Sequence, residues 1–512
     1  MEVIENKALL LKLRNPNKVT TLIPKSKDLG NGNVLVKWGL DEARVLRNLQ
    51  IKNIPSPIIG RYDWPGMYKP FEHQKTTASF LTLYQRSFCL NEQGTGKTGS
   101  VIWAADYLMK IGKIKRVLII CPLSIMDSAW RADLFKFAMH RSVDIAYGSS
   151  AKRKQIIESD AEFVIINYDG VNIVADDIAK AKFDLVVVDE ANAYKNTQTT
   201  RWKTLNNLLR PETWLWMLTG TPAAQNPEDA YGLAKLVNPT GVPRFYGSFK
   251  DMVKYKITQF KWMVRPEAEK VVFEALQPAI RFTKAECLDL PEMTYVTRDV
   301  ELTPQQKKYY DMLRQQLVVQ AQGEQITAVN AAVSLNKLLQ ISCGAVYSDT
   351  GETLEFDIKN RYKVLREVID ETSQKILIFV PFKHTIELLA DKLAADKFTT
   401  DIISGSVSAS KRADIFKRFQ FTPNPRVLII QPQAAAHGVT LTAADTVVWW
   451  GPTPSLETYA QANARAHRAG QRHPVTIVRL QGSNAEKHVY KMLDSRITDH
   501  TKLVDMYKSL IA

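Results

Sequence analysis

Short apolar runs rich in β-branched residues alternate along the chain with longer helical patterns, and this alternation constrains the fold more than any other feature of the sequence. Strands that are apolar along their whole length are typical of parallel sheets covered by helices on both faces. The runs form two sets: Arg86–Leu90, Val117–Ile120, Phe163–Ile166, Leu185–Val188 and Trp214–Leu218, then Ile376–Phe379, Val427–Ile430, Thr446–Trp450 and Val475–Val478. We therefore predict an α/β protein with two parallel-sheet lobes.

Between the two sets the pattern changes to long helices with mixed polar and apolar residues, such as Thr303–Gln320 and Thr327–Gln340. This change predicts a helical insertion and linker. The residues before the first set contain short strand-like runs around a turn-rich segment and predict a small N-terminal module. The predicted domains are 1–66 for this module, 67–240 for the first lobe, 241–355 for the insertion, and 356–512 for the second lobe with C-terminal helices.

The formal net charge of +15 favours a polyanionic partner, because each Lys or Arg placed on a phosphate releases condensed counterions. A generally basic soluble protein remains the alternative from charge alone. The four cysteines are far apart, which argues against a disulfide framework and fits a reducing compartment. Since the chain also shows neither a signal peptide nor an apolar stretch of about 18 residues, we expect a soluble cytoplasmic protein without a membrane partner.

The strongest local motif lies between the first predicted strand and a predicted helix. Its loop residues are Gln93, Gly94, Thr95 and Gly96, followed by Lys97 and Thr98. The glycines allow the backbone N–H groups to face a phosphate chain, and the helix N-terminus adds positive potential. Lys97 would reach the β and γ phosphates of ATP, and the Thr98 hydroxyl would bind Mg²⁺.

Two adjacent carboxylates, Asp189 and Glu190, follow the apolar run Leu185–Val188. A strand that delivers two carboxylates at its carboxyl end is a common way for a nucleotide site to hold its metal ion. Asp189 would bind Mg²⁺, and Glu190 would orient or deprotonate the attacking water. A plain acidic strand end is the alternative, and the phosphate loop upstream makes the catalytic interpretation the stronger one.

Two further motifs have chemistry suited to ATP. Gln74 carries an amide that can bond to the adenine edge, and Phe71 carries a ring that can stack on adenine. Without the phosphate loop, these two residues would indicate only a helix start. Near the end of the second lobe, Arg465 and Arg468 would share a face if they lie on a helix. They could then act as arginine fingers on the γ-phosphoryl group, the alternative being a solvated basic face.

Taken in order, these motifs resemble those of the Swi/Snf-like ATPases of helicase superfamily two, over nearly all of residues 67–500. The resemblance implies two RecA-like lobes with ATP in the cleft, and movement along a duplex backbone. It also implies roles for residues that the patterns alone leave unassigned. Contacts to nucleic acid, or coupling of those contacts to hydrolysis, are implied for Pro122, Ser124, Asn167, Tyr168, Thr219, Gly220, Thr221, Gly438 and Thr440. Gln461 is implied to act with the two arginines.

Three departures from the family pattern stand out. Asn91 occupies the place of the first glycine of the phosphate loop, and Asn192 occupies a place where the family commonly has His. The segment Ala434–Gly438 lacks the paired glycines of chromatin remodellers, and it looks more like the compact members from phages and bacteria. We therefore expect a role in phage or bacterial DNA replication, recombination or repair, such as fork remodelling or branch migration on double-stranded or forked DNA.

Three functions stay open at this point. The first is an ATP-hydrolysing translocase on double-stranded DNA. The second is a helicase of the same superfamily that separates strands of DNA or RNA. The third, a catalytically inactive DNA-binding scaffold, is disfavoured because the residues expected to bind ATP are all present.

Overall fold

The computed structural model describes residues 1–220, 223, 226–258, 262–287, 290–323, 328–347, 353–435, 439–468 and 470–495. These residues form two compact units, one within Met1–Cys287 and the other within Leu288–Lys502. Each unit contains one large parallel sheet. Among the described residues, no helix has both the length and the apolar character that crossing a membrane requires.

The first unit begins with a small antiparallel sheet, formed in spatial order by Glu2–Ile4, Ala8–Lys12, Asn33–Lys37 and Lys27–Gly30. Its apolar residues share one core with the parallel sheet that follows. Trp64 is buried and packs edge-on against Trp103 at 5.8 Å between ring centroids. The Tyr62 hydroxyl donates to Asp106 Oδ2 at 2.6 Å. Trp64 and Tyr62 thus pack the N-terminal module against the helix Lys97–Lys110.

The parallel sheet of the first unit has seven strands, in the order Ala279–Ile280, Arg86–Cys89, Trp214–Leu218, Leu185–Val188, Val117–Cys121, Phe163–Asn167 and Val143–Ile145. Successive residues of its central strands face opposite sides, so that Ile119 lies in one hydrophobic core while Leu118 and Ile120 lie in the other. This coverage explains why these strands are apolar along their whole length. All five strands predicted for the first lobe are present.

Helices surround this sheet and follow most of its strands. They span Asn17–Leu22, Leu40–Asn48, Ile58–Arg61, Glu72–Leu83, Lys97–Lys110, Ala132–Phe137, Ser150–Ile157, Tyr168–Ile173, Ala175–Ala181, Thr200–Leu208, Ala230–Val237, Tyr246–Val253, Ala268–Ala275 and Lys284–Cys287. Shorter 3₁₀ turns occupy Leu123–Ile125, Ala191–Tyr194 and Pro227–Asp229, and a π-helical turn occupies Met126–Arg131. An antiparallel pair, Lys254–Lys256 with Trp262–Val264, lies apart from the main sheet.

The second unit has a six-stranded parallel sheet, in the order Met293–Asp299, Val475–Gln481, Ala444–Trp449, Lys375–Phe379, Val427–Ile430 and Thr400–Ile403. Its helices span Pro304–Gly323, Ala328–Cys343, Lys359–Glu371, Lys383–Ala395, Ala409–Phe421, Leu456–Asn463 and residues 484–495, with a 3₁₀ turn at Pro432–Ala435. A small hairpin joins Ala345–Tyr347 to Thr353–Glu355. All four strands predicted for the second lobe are present, and the predicted fold class is confirmed.

The segment predicted as a helical insertion also supplies one strand to each parallel sheet. Ala279–Ile280 pairs with Arg86–Cys89 in the first unit, and Met293–Asp299 pairs with Val475–Gln481 in the second. The first of these strands is too short to show a period, and the second is a sheet-edge strand that mixes polar and apolar residues without a regular period. The two units meet in sequence within this segment. The predicted domain boundaries stay predictions.

Candidate active site

The phosphate loop connects the strand Arg86–Cys89 to the helix Lys97–Lys110, as the sequence predicts. Gly94 and Gly96 have φ angles of +88° and +78°, which side-chain-bearing residues rarely adopt. A Cβ atom on Gly96 would also lie 2.0 Å from Gln74 Nε2. Because Lys97 and Thr98 open a 14-residue helix, they lie where the helix dipole is positive.

Asn91 connects the phosphate loop to its surroundings through both ends of its buried amide. Its Nδ2 donates to Thr77 Oγ1 at 2.9 Å, and its Oδ1 accepts from the Phe282 backbone N–H at 3.0 Å. The Asn91 carbonyl oxygen accepts from Lys97 Nζ at 2.8 Å. A glycine at this position would keep only the bond from Lys97, because that bond is to the backbone carbonyl oxygen. The departure from the family pattern therefore has a structural role.

Asp189 follows the strand Leu185–Val188, at the same edge of the sheet as the phosphate loop. Its Oδ2 accepts from the Trp130 indole N–H at 2.9 Å, and its Oδ1 accepts from the Glu190 backbone N–H at 2.9 Å. Burial of the carboxyl group raises the pKa of Asp189, while the positive charge of Lys97 and these two hydrogen bonds act in the opposite direction. Lys97 and Asp189 thus belong to one electrostatic site.

Glu190 lies beside the phosphate loop in an uncommon backbone conformation. Its φ is +47°, in the left-handed region, at the junction between the strand and the 3₁₀ turn Ala191–Tyr194. Gln93 Nε2 donates to Glu190 Oε1 at 3.0 Å, and the Tyr168 hydroxyl donates to the Asp189 carbonyl oxygen at 2.7 Å. These bonds connect the loop, the acidic pair and the strand end at Tyr168.

The two residues predicted to contact adenine lie at the start of the helix Glu72–Leu83. Phe71 is 60% exposed and its ring stacks on His73, with centroids 5.7 Å apart. Gln74 is buried; its Oε1 accepts from the Phe71 backbone N–H at 2.9 Å, and its Nε2 lies 3.4 Å from the Gly96 carbonyl oxygen. The Gln74 amide therefore caps the helix and contacts the phosphate loop, and adenine recognition by this pair stays a prediction.

Sequence reasoning missed Arg281, which is buried beside the phosphate loop. Its Nη1 donates to the carbonyl oxygens of Leu90 at 2.6 Å and Gly220 at 3.2 Å, and its Nη2 lies 3.5 Å from Glu92 Oε1. The Lys284 backbone N–H donates to the other oxygen of Glu92 at 3.0 Å. Arg281 thus joins the end of the strand before the loop to Gly220, which lies two residues after the strand Trp214–Leu218. Its only sequence signal was an arginine directly after a two-residue apolar run.

The residues implied to contact nucleic acid lie at the carboxyl ends of neighbouring strands. Pro122 is buried, and the exposed Ser124 accepts at its carbonyl oxygen from the Ser128 hydroxyl at 3.0 Å. Asn167 Oδ1 accepts from Arg153 Nη1 at 2.9 Å. Trp130 contacts Asp189 instead of facing solvent. The sheet therefore brings this group to the edge that carries the acidic pair, and its role stays a prediction.

The implied coupling segment begins at the end of the strand Trp214–Leu218. Thr219 is buried and its backbone N–H donates to the Cys89 carbonyl oxygen at 3.1 Å. Gly220 is close to the loop, since a Cβ atom there would lie 3.3 Å from the Gln93 backbone nitrogen. Thr221 and, in the second unit, Gly438 lie outside the described residues.

In the second unit, Arg465 and Arg468 follow the helix Leu456–Asn463 and are not part of it, which corrects the helical placement that the spacing suggested. The helix ends at Asn463, whose Oδ1 accepts from the Trp449 indole N–H at 2.8 Å, and the chain then turns. Arg468 Nη1 nevertheless donates to the Val439 carbonyl oxygen at 3.0 Å, and Arg465 Nη1 lies 3.5 Å from the same oxygen. The two guanidinium groups therefore converge.

Gln461 and Thr440 complete the predicted residues of the second unit. Gln461 is buried on the helix Leu456–Asn463, and its Nε2 lies 3.3 Å from Glu457 Oε1. Thr440 is exposed and directly follows Val439, the residue on which the arginines converge. Among the described residues, no group of three or more His, Cys, Asp or Glu side chains could enclose a metal ion. Thr98 and Asp189 as protein ligands of Mg²⁺ stay a prediction.

Comparisons with known proteins place these features in a family. Residues 73–343 match the family described as SNF2-related domain, and residues 360–470 match the helicase conserved C-terminal domain. The chain is 26% identical over 464 residues to chromodomain-helicase-DNA-binding protein 1-like of Danio rerio, covering 85% of this chain and 43% of the relative. It is 28% identical over 408 residues to the uncharacterized ATP-dependent helicase MG018 of Mycoplasma genitalium, covering 77% and 38%.

The chain thus spans about two fifths of the length of these curated relatives. Among solved structures, the Sulfolobus solfataricus SWI2/SNF2 ATPase core in complex with dsDNA matches at 23% identity with a TM-score of 0.43, covering 84% of this chain and 92% of that one. Because the match to the SNF2-related domain covers more than half of the 512 residues, we conclude that this chain belongs to the SNF2-related family of the helicase fold.

Proposed function

We propose that this chain is a DNA-dependent ATPase that uses ATP hydrolysis to move along double-stranded DNA. The observation that carries the proposal is the convergence of Lys97, Asp189 and Glu190 at one edge of the first sheet, joined by hydrogen bonds from Gln93 and Trp130. The family assignment supports ATP hydrolysis, and curated relatives carry the names ATP-dependent helicase and helicase-DNA-binding protein. The net charge of +15 supports a polyanionic partner.

In this proposal the loop backbone and Lys97 bind the phosphates of ATP, and Phe71 stacks on its base. A hydroxyl and a carboxylate form a hard oxygen donor set that fits Mg²⁺, which keeps most of its shell as water and phosphate oxygens. Thr98 and Asp189 would hold that ion, which neutralises phosphate charge when bound. Glu190 accepts a proton from the attacking water, and Gln93 fixes the position of its carboxylate.

The second unit contributes the two arginines. We place Arg465 and Arg468 on the γ-phosphoryl group during its transfer, where paired guanidinium groups stabilise the developing negative charge. Gln461 is proposed to act with them. The convergence of both arginines on the Val439 carbonyl oxygen supports a shared target for these side chains.

DNA binding is proposed at the strand ends of both units. Pro122, Ser124, Asn167 and Tyr168 would contact the phosphate backbone in the first unit. Thr219, Gly220 and Thr221 would transmit those contacts to the ATP site, and Gly438 with Thr440 would serve the second unit. Backbone contacts give affinity without reading sequence. The proposed setting is phage or bacterial replication, recombination or repair, through fork remodelling or branch migration.

Displacement of a triplex-forming strand from a long blunt duplex tests movement directly, because that strand is removed only by motion along intact duplex. We expect ATP-dependent displacement by the wild type and none by Lys97→Ala. A parallel assay on a forked duplex measures strand separation. Unwinding of the fork without triplex displacement would contradict the proposal and favour a strand-separating helicase.

A further inference from the structure

An antiparallel ribbon in the first unit lies outside the proposed ATP and backbone-contact residues. It consists of Lys254–Lys256 and Trp262–Val264, which follow the helix Tyr246–Val253. In its register Tyr255 faces Met263, and Lys256 faces Trp262. The ribbon pairs with neither described parallel sheet. A two-stranded ribbon is marginally stable alone and depends on contacts outside itself.

The ribbon exposes apolar and aromatic side chains in a small area. Tyr255 is 39% exposed, Met263 46% and Val264 52%, and the Tyr255 hydroxyl lies 3.7 Å from Met263 Sδ. Apolar groups exposed together commonly mark an interaction site. The exposed phenol ring also offers a flat face to a planar partner.

Cations surround these side chains. Lys250 Nζ lies 3.8 Å from the centroid of the Trp262 ring, and the Arg265 guanidinium lies 5.8 Å from that of Tyr255. Lys256 is exposed, and within the described part of the chain none of these three cations forms an ion pair. Asp251 is the only acidic residue between positions 244 and 265. The local charge is thus complementary to a polyanion.

The base of the ribbon is fixed to the segment that follows Thr219 and Gly220. Lys254 Nζ contacts Glu228 Oε1 at 2.6 Å in a pair whose side chains are only 13% and 14% exposed, and it donates to Asn226 Oδ1 at 3.2 Å. Asp229, one residue further on, pairs with Lys195 at 2.9 Å. A ligand on the ribbon would therefore act on a segment that follows the predicted coupling residues in sequence.

We propose that this ribbon binds the unpaired strand of forked DNA next to the duplex. Lys250, Lys256 and Arg265 would contact its phosphates, and Tyr255 would stack on an unpaired base. Stacking favours an unpaired strand, because within a duplex the faces of the bases are covered by their neighbours. The inference rests on the proposed DNA-dependent function and narrows its substrate to branched DNA.

The test compares Tyr255→Ala with Tyr309→Ala, a matched control whose tyrosine is 38% exposed on the second unit. Binding of a fluorescent fork with a thymidine arm, and of a blunt duplex of equal duplex length, is measured by anisotropy at one salt concentration. We expect Tyr255→Ala to raise the fork Kd at least about fivefold, the factor for the weakest single-base stacking contact, and the duplex Kd less than twofold. Tyr309→Ala should change neither, and thermal melting should confirm that both variants fold.

A second variant tests the phosphate contacts. Lys256→Gln should lower the slope of log Kd against log salt for the fork by about 0.7, the value for one lost contact to a single strand. The matched control is Lys307→Gln, at an exposed lysine on the helix Pro304–Gly323 of the second unit, and it should leave the slope unchanged. An unchanged fork Kd in Tyr255→Ala, or an equal loss on fork and duplex, would overturn the proposal. So would self-association of the wild type that Tyr255→Ala abolishes with fork binding intact, which would make the ribbon a protein interface. If the wild type bound neither the fork nor the duplex, that result would instead contradict the proposed function.

Discussion

At the residue scale, the charge on the Asp189 carboxyl group is needed for ATP hydrolysis in the proposed function but lowers the stability of the fold. Its pKa is raised in the folded protein, so ionisation of this group opposes folding. The stabilisation of the folded protein by the uncharged carboxyl group is complete below the pKa that Asp189 has in the unfolded chain. It is lost as the pH rises through the higher pKa that Asp189 has in the folded protein. Above the folded pKa the wild type therefore bears the full cost of the charge. We expect Asp189→Asn to melt no lower than wild type at pH 7 and to lose ATP hydrolysis.

Thermal denaturation at neutral and acidic pH measures this effect. The difference in melting temperature between Asp189→Asn and wild type should shrink as pH falls and the wild-type carboxyl group is protonated. Asp144→Asn, on the edge strand Val143–Ile145, serves as the control for a carboxylate outside the site. A variant that melts well below wild type at pH 7 would show that the Asp189 charge stabilises the fold.

A substitution at Glu190 can separate ATP binding from ATP hydrolysis. In Glu190→Gln the amide oxygen can still accept the hydrogen bond from Gln93, so the local geometry is kept while the proton acceptor is lost. We expect ATP binding within a few-fold of wild type and a fall in kcat of about 10²–10⁴, the usual contribution of a general base. Binding of a fluorescent ATP analogue and steady-state hydrolysis provide the two numbers. Normal turnover would remove Glu190 from the mechanism.

At the scale of elements, the phosphate loop depends on contacts with two neighbours, the helix Glu72–Leu83 and the segment after Ile280. Asn91 makes both contacts through its side chain. We expect Asn91→Ala to lower the free energy of unfolding by about 1–3 kcal/mol, because buried partners lose their hydrogen bonds. A double-mutant cycle in urea with Thr77→Val isolates the side-chain bond. Strictly additive losses would show that Asn91 and Thr77 do not interact.

Most of the sheet elements could be predicted from sequence because buried parallel strands are nearly continuous apolar runs. Leu185–Val188, for example, has the same bounds in the structure as in the pattern. Arg281 could not be found this way, since it acts on Leu90 and Gly220, which are 191 and 61 residues away. Periodicity reports which face of an element is apolar and carries no information on such distant pairs.

The same limit applies to side-chain orientation within the site. The sequence identified Asp189, but not the hydrogen bond that its carboxylate accepts from the Trp130 indole. The spacing of Arg465 and Arg468 suits one face of a helix, whereas the helix before them ends at Asn463. The spacing of the two arginines therefore indicated that their side chains come together, but it did not indicate the backbone conformation that carries them.

At the scale of the whole molecule, the motifs are divided between two units that each have their own parallel sheet. If Arg465 and Arg468 act on the transferring phosphoryl group as proposed, replacing either with Ala should lower kcat by about 10³ or more and change KM for ATP much less. Arg472→Ala, an exposed arginine nearby, is the matched control. If Arg465→Ala, Arg468→Ala and Arg472→Ala all had the same kcat, the two arginines would be part of a solvated basic face and not of the mechanism.

The central claim is that DNA controls ATP hydrolysis by this chain, and steady-state hydrolysis tests it most directly. Wild type and Lys97→Ala are compared without nucleic acid and with duplex DNA, single-stranded DNA, forked DNA and RNA at one fixed salt concentration. We predict strong stimulation of the wild type by duplex and forked DNA, and no turnover by Lys97→Ala under any condition. Stimulation by single strands or RNA alone, or wild-type protein that hydrolyses no ATP with any of these, would contradict it.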